Sequence, residues 1–294
     1  MHISPRTRDR GLPLRPRAPA LPASAAALAE HVEKLAWRDM VAAAEGELAR
    51  QLGLRTETYE GAVVLRARKL DSLLFNRVIG LGTTHNVTDA SVRSVIGGYL
   101  ERGLRRFWIH VCETHRASIG HQLERQGLME YPRAWMKFLR DTAPFTARPT
   151  PLTVRSARAE DATEVAAIVG PAFDLTTPGG EIFGALIGRP QWDIYVVSDA
   201  DRIVAAGGLY VSGPLGYHAF AATLPSDRNR GAQSLLMQSR IERARARGCK
   251  WIATETGAPR AADEPNPSYQ NMLRSGFEPV GLRANYGLPG TTWR

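Results

Sequence analysis

The run Arg228-Asn229-Arg230-Gly231-Ala232-Gln233 joins a strand-like segment, YHAFAATL (217–224), to a helix-like one that ends near Arg247. A strand–loop–helix junction leaves backbone amides unpaired at the positive end of a helix. Glycine at 231 lets that backbone approach a ligand with no Cβ in the way. Arg228 and Arg230 add forked, charged donors that suit phosphate. The chemistry implied is the cradling of a diphosphate. It is not a Walker loop, since no Gly-Lys-Ser/Thr is present, and not a dinucleotide fingerprint, since GxGxxG is absent from this stretch.

The elements that must position this loop come from a chain of 294 residues, enough for one large or two ordinary domains. With 44% hydrophobic and 23% charged residues it has the composition of a globular protein with a sizeable core. No apolar run approaches the roughly 20 residues of a membrane span, and the N-terminus lacks the apolar stretch of a secretory signal. No membrane partner and a cytoplasmic location are therefore expected. Cys112 and Cys249 sit in apolar, strand-like runs and read as free thiols of a reducing compartment. The net charge is +9, and residues 1–20 hold five arginines against one aspartate, with four prolines. Such a segment cannot offset its ordering entropy by burial, so residues 1–24 are expected to be a disordered basic tail. The remaining excess of positive charge suits an anionic small molecule as well as nucleic acid. Arg240, Arg243 and Arg247 share one side of a helix near its C-terminus, where the macrodipole favours cations. A solvated helix face accounts for them, so nucleic acid is not the favoured partner.

Residues 25–140 and 152–294 carry the same punctuation. In the first half a helix over 25–52 precedes strands at 61–67 and 73–81, a helix capped by Thr88 or Asp89, the strand FWIHV (107–111), a helix near 115–126, and AWMKFL. In the second, the strand LTVRSA leads into a helix with acids in its first turn. A short helix near 179–188, a hairpin over 194–211 and the strand 217–224 follow. The loop and helix already described come next, with Met237, Ile241 and Ala244 as its apolar stripe and Leu236 beside it. The strand CKWIATE, a helix over Asn266–Arg274 and two short strands near 277–281 and 283–288 complete the half. ERGLRRFWIHV and RARGCKWIATE occupy matching places, as do ERQGLMEY and LRSGFEPV, which reads as a tandem duplication. Between the halves, residues 141–151 hold three prolines and three threonines without periodicity, the marks of a linker.

In this order of elements, residues 152–290 resemble the GNAT acetyltransferase superfamily. Its acyl-CoA loop, Arg/Gln-x-x-Gly-x-Gly/Ala, is met by Arg228, Gly231 and the residues between and after them, with Gln233 in place of the last small residue. SYQNMLRSGFEPV resembles the family's closing helix and its Gly-Phe. The first half resembles the same fold over about 30–140, but GLGTTHNVTDAS (80–91) lacks the acyl-CoA loop. The resemblance implies an α/β (α+β) fold of tandem GNAT-like domains, each a mixed, mostly antiparallel central sheet flanked by helices. The N-terminal domain would be degenerate and the C-terminal one catalytic.

The resemblance also implies a site. Acetyl-CoA would lie in a splay between strands 217–224 and 249–256. Its diphosphate would meet the amides of Arg228, Asn229, Arg230, Gly231, Ala232, Gln233 and Ser234, and its pantetheine the backbone of Ala221, Ala222 and Thr223. Asn271 and Ser268 match polar positions that reach the coenzyme, or else an exposed helix face and a cap. One strand amide would hold the oxyanion while an amine attacks the thioester. Glu255 is the first candidate base and His218 the second, since imidazole titrates in the useful range. The family's tyrosine acid, four residues before Gly-Phe, is replaced by Met272, and Tyr269 lies one turn earlier. No metal is expected: His85, His110 and His115 are too scattered. The leading expectation is an acetyl-CoA-dependent N-acyltransferase acting on a small-molecule amine, as a monomer with an internal pseudo-dimer or as a homodimer. The alternative is a non-catalytic acyl-CoA-binding or scaffold protein.

Overall fold

The computed structural model describes residues 20–261 and 264–292. The basic tail expected over 1–24 lies, through residue 19, outside the described residues. Ser24 precedes α1 (Ala25–Ala43), whose Ala29, Val32, Ala36 and Met40 form a buried stripe. The helix expected over 25–52 is two helices, because Ala44 turns extended and Gly46 takes a positive φ of 56° before α2 (Gly46–Leu52). A hairpin follows, β1 (Leu54–Tyr59) and β2 (Ala62–Ala67). Its turn residues Glu60 and Gly61 both have positive φ, the signature of a type I′ turn. Of the run 73–81 only β3 (Arg77–Ile79) is strand. Asn76 binds the carbonyls of Leu70 and Ser72 and holds the residues before it in turns.

The first half continues with α3 (Asp89–Leu100), capped by Thr88 as expected, then β4 (Trp108–Cys112), α4 (Arg116–Arg125), β5 (Met129–Glu130) and β6 (Trp135–Asp141). The second half is β7 (Thr153–Ser156), α5 (Ala162–Ala172), α6 (Glu181–Gly184), β8 (Trp192–Asp199), β9 (Arg202–Ser212), β10 (Leu215–Thr223), α7 (Ala232–Ala246), β11 (Trp251–Gly257), α8 (Pro267–Arg274) and β12 (Glu278–Gly287). The two short strands expected at the end are this single β12, kinked where its register shifts between Pro279 and Gly281.

The strands form one sheet, β1-β2-β3-β4-β12-β6-β11-β10-β9-β8-β7, with β5 paired to β12. It is mixed and mostly antiparallel; β3–β4 and β10–β11 are the parallel pairs. α1, α5 and α6 pack on one face, and α3, α4, α7 and α8 on the other. The halves exchange their last strands. β6 pairs with β11 from Trp135↔Gly257 to Asp141↔Trp251, and β12 pairs with β4 from Arg283↔Cys112 to Tyr286↔Ile109.

Where the exchanged strands cross, under α1, lies a buried cluster of ions. Glu30 and Glu33 of α1 and Glu255 of β11 face Arg77 of β3, Lys137 of β6 and Arg283 of β12. Arg283 donates to Glu33 at 2.6 Å and to Glu255 at 2.5 Å. Lys137 contacts Glu33 directly and stands 3.3 Å from Glu30 and 3.2 Å from Glu255. Arg77 lies 3.5 Å from Glu33 and 3.6 Å from Glu255, with its guanidinium 3.9 Å over the Trp37 ring. Beside it, His110 is held neutral: burial, then Arg283 and Arg77, push its pKa well down. Its Nε2 can only accept from Arg77, at 3.4 Å, so its Nδ1–H donates to Asn285 at 2.6 Å. Three anions and three cations balance.

Removing one partner from such a buried set costs about 3–5 kcal/mol, because the others stay buried without it. Lys137→Met is expected to lower the urea-unfolding free energy by that amount. Glu255 and Glu30 have pKa values held below the ordinary carboxylate range. Burial opposes this, but Arg283 and Lys137 outweigh it. Their contribution is therefore complete above the unfolded value of about 4.3 and is lost as pH falls below it. Stability measured down from pH 5 should drop, and the drop should be shallower in Glu255→Gln.

Candidate functional site

β10 and β11 run parallel and pair at Leu215↔Trp251, Gly216↔Ile252 and Tyr217↔Ala253, and there the ladder ends. β11 stays with β6 through Gly257, while β10 stays with β9 through Thr223. The two strands diverge because each follows its other neighbour. A register shift between His218 and Phe220 bends β10 at this point. Thr254 Oγ1 donates to the His218 carbonyl at 3.1 Å, capping the last shared step.

The amide of Leu224 donates to Val204. With the two-residue period of a strand, Ala222 and Phe220 turn their backbone groups the same way, toward β9, and Ala221 and Thr223 turn theirs into the divergence. Of the three expected contact residues, Ala221 and Thr223 therefore present free backbone, and Ala222 is used by the ladder.

The loop behind β10 enters α7 through Gly231, at φ 96°, with Asn229 also left-handed at φ 63°. The amides of Arg228, Asn229, Arg230, Gly231, Ala232 and Gln233 have no acceptor among the described residues. α7 carries neither a side-chain cap nor an acid in its first turn. Ser234 departs from the expectation. Its amide already donates to the Gly231 carbonyl at 3.0 Å, and its Oγ accepts from the Arg148 amide at 3.1 Å. Gln233 is half-buried and donates to Thr223 Oγ1 at 3.1 Å, tying the helix to the open end of β10.

The two arginines of the loop play different parts. Asp227, 1% exposed, accepts from both Nη atoms of Arg202 at 3.0 and 2.9 Å, from Ser226 at 2.7 Å and from Arg230 at 2.8 Å. Those bonds hold its pKa at about 2, Arg202 contributing most. Arg230 is further tied to Asp199 at 2.7 Å. It shapes the loop, and Arg228, exposed and without an acidic partner among the described residues, is the free cation.

The segment 141–151 is more than a spacer. It runs back along α7, where the Ala147 amide donates to Gln238 Oε1 at 2.7 Å and Thr150 Oγ1 to the Arg230 carbonyl at 2.6 Å. A Cβ placed on Gly231 would stand 3.0 Å from Thr150 Cβ.

No protein-family model matches the sequence, and no curated protein matches it. Solved structures do. A GCN5-related N-acetyltransferase from Kribbella flavida superposes with TM-score 0.60 at 16% identity, over 90% of this chain and 96% of that one. One from Sphaerobacter thermophilus gives 0.54 at 15%, over 92% and 93%. A tandem GNAT protein of the clavulanic acid biosynthesis pathway gives 0.51 at 13%, over 71% and 73%. The fold is the tandem GNAT fold.

Within this fold the two halves differ at the matching helix end. α3 has Asp89 in its first turn, and Thr88 Oγ1 takes the Ser91 amide at 3.1 Å while Ser91 Oγ donates to Glu60 at 3.0 Å. A side chain caps that end and Asp89 and Glu60 lie at it, which opposes an anion. The α7 end is open and uncapped.

The tandem GNAT sheet does not bring the three expected catalytic residues together. Glu255 faces α1 and belongs to the ion cluster, so its carboxylate is held ionised and is a weak proton acceptor. His218 faces the opposite side of the sheet, 3% exposed, its ring edge-on to Phe277 with centroids 5.6 Å apart. Burial, then Arg240 and Arg140, push its pKa well below the ordinary value, so it is a neutral imidazole whose nitrogens have no partner among the described residues. Tyr269 stacks edge-on to Phe138 at 5.1 Å. Asn271 lies half-buried on α8, within 3.4 Å of Arg274. Cys112 and Cys249 are free thiols. No group of metal-ligating side chains occurs among the described residues, and no helix among them is long and apolar enough to cross a membrane.

The solvated-arginine reading of α7 also changes. Arg243 and Arg247 pair with Asp193 at 2.8 and 2.9 Å, and Arg240 is buried. Position 240 falls within the apolar stripe of Met237, Ile241 and Ala244, a signal legible in the periodicity. The anchoring role of Asp227 has no such signal.

If Arg230 is structural and Arg228 free, thermal denaturation separates them. Arg228→Ala should leave Tm within about 1 °C of the parent, while Arg230→Ala and Asp227→Asn should each lower it by clearly more.

Proposed function

We propose that the protein is an acetyl-CoA-dependent N-acyltransferase that transfers an acyl group to an amine of a small molecule by direct attack on the thioester. One observation carries this reading: an uncapped helix N-terminus with a row of unpaired amides stands beside the parallel strand pair β10–β11, at the point where that pair parts. The arrangement fits a diphosphate followed by an extended pantetheine. The coenzyme, when bound, supplies an acyl group on a good leaving thiolate.

The chain's own residues would then act as follows. The amides of Arg228 to Gln233, with the Arg228 side chain, hold the diphosphate. Ala221 and Thr223 pair with the pantetheine as a neighbouring strand would. The Ala221 amide donates to the acyl oxygen, where charge develops as the amine attacks. Neither Glu255 nor His218 is poised to take the ammonium proton, so the amine enters already neutral or loses its proton to water. The first half, whose equivalent helix end is capped and acidic, takes no coenzyme and braces the second through the exchanged strands.

The fixed state of Glu255 and His218 also favours a second reading, a protein that binds acyl-CoA without turning it over. Release of free thiol from acetyl-CoA in the presence of an amine panel distinguishes the two.

Acetyl-CoA at about 100 times its Kd should raise Tm by roughly 5 °C. ATP, which lacks the pantetheine arm, should give a much smaller shift. In Gly231→Glu the acetyl-CoA shift should vanish, because a side chain at φ 96°, with its Cβ 3.0 Å from Thr150, displaces the loop and adds a negative charge to it. Equal shifts in the parent and Gly231→Glu would place any coenzyme elsewhere.

A further inference from the structure

Arg240 lies midway along α7, 2% exposed, and no carboxylate pairs with it among the described residues. Burial lowers its pKa to about 9, so it is still a cation at neutral pH. A buried cation without a counter-charge is costly, and an apolar residue would continue the stripe at this position. Its hydrogen bonds go to backbone carbonyls: Nε to Leu236 at 3.0 Å, and Nη1 to Phe220 at 3.0 Å and Gly208 at 3.5 Å. Gly208 and Phe220 face each other across β9 and β10 at the register shift. The guanidinium therefore grips the bulge that opens the site. Gly207 of β9 lies against the same group: a Cβ there would stand 3.5 Å from the guanidinium carbon and 3.2 Å from the Phe220 carbonyl oxygen.

The carbonyl of Phe220 and the amide of Ala221 belong to one trans peptide and point in opposite directions. The carbonyl faces β9 and Arg240, and the amide faces the divergence. A charged donor on the carbonyl draws electron density through the peptide and makes the N–H a stronger donor. The first half offers an internal contrast. There a guanidinium also fills the space between hairpin and helix, but Arg66 supplies it from β2, against Gly98 of α3, and Glu57 neutralises it at 2.6 Å.

We propose that Arg240 is a positioning residue. It fixes the bulge in β10 and polarises the Phe220–Ala221 peptide, so that the Ala221 amide binds the acyl oxygen of a thioester. This rests on the acyl-CoA reading above.

The test uses the full chain, with CoA and acetyl-CoA carrying a ¹³C carbonyl as probes. In the parent, difference infrared spectra should show the bound thioester carbonyl stretch below its solution frequency. In Arg240→Met the stretch should return toward the solution value. The Kd for acetyl-CoA should rise about five- to tenfold, with the Kd for CoA within twofold. Arg240→Lys keeps a charge but cannot fork across two carbonyls, and should fall between. Should Arg240→Met fail to fold, Arg240→Lys carries the test. An unchanged carbonyl stretch in a folded variant, or equal losses of CoA and acetyl-CoA affinity, overturns the role of Arg240. If the parent binds both probes with no shift of the stretch, Arg240 falls and the acyl-CoA reading stands. If the parent binds neither, both fall.

Discussion

A strand can be hydrogen-bonded along its whole length to two neighbours only if all three share one course. β11 is paired residue for residue with β6, and β10 with β9 through a bulge. These commitments leave the β10–β11 ladder three steps long. Everything that makes the second half a candidate site depends on that conflict. It frees the backbone of Ala221 and Thr223, places the α7 N-terminus at the mouth of the gap, and leaves a bulge that Arg240 holds from behind. The gap is bounded on one side by strand backbone with no strand partner, a surface that suits an extended, amide-containing arm.

The exchange of strands explains why the conflict is not relieved. β6 is supplied by the first half, so β11 cannot relax toward β10 without pulling the other half with it. The ion cluster under α1 sits on this junction, with one member from each of β3, β6, β11 and β12 and two from α1. Such a cluster adds little net stability over an apolar core, but a displaced strand would leave charges buried and unpaired. It sets register more than it sets stability. That also explains the position of Glu255: a carboxylate that secures the crossing of two halves is a poor choice for a proton acceptor.

The fold was legible wherever local rules act alone. Thr88 and Asn266 cap their helices, and the glycines of the turns take positive φ. The apolar stripes of α1 and α7 are buried. Sequence reasoning lost accuracy where an element answers to a distant partner. The run 73–81 is as apolar as a strand, yet Asn76 binds neighbouring carbonyls and leaves three residues to pair. β12 looks like two strands because Pro279 and Gly281 interrupt its pattern, and it is one because β6 accommodates the bulge. Arg240 looks like a surface arginine because three others on the helix are exposed or paired at its rim.

The amino-acid sequence by itself determined the order of strands and helices, the glycine that lets the loop at 231 turn left-handed, and the absence of a matching loop in the first half. These are properties of short segments, settled by steric freedom, periodicity and capping. Only the tertiary structure decided that the halves exchange strands, that Glu255 and His218 face opposite sides of the sheet, and that Arg230 is bound while Arg228 is free. Those outcomes turn on which strand lies beside which and which charge meets which: Glu255 meets Lys137 and Arg77 from the other half of the chain, and Arg230 meets Asp199 from a neighbouring hairpin. Burial in a low-dielectric interior makes each such pairing decisive, and no local pattern records it.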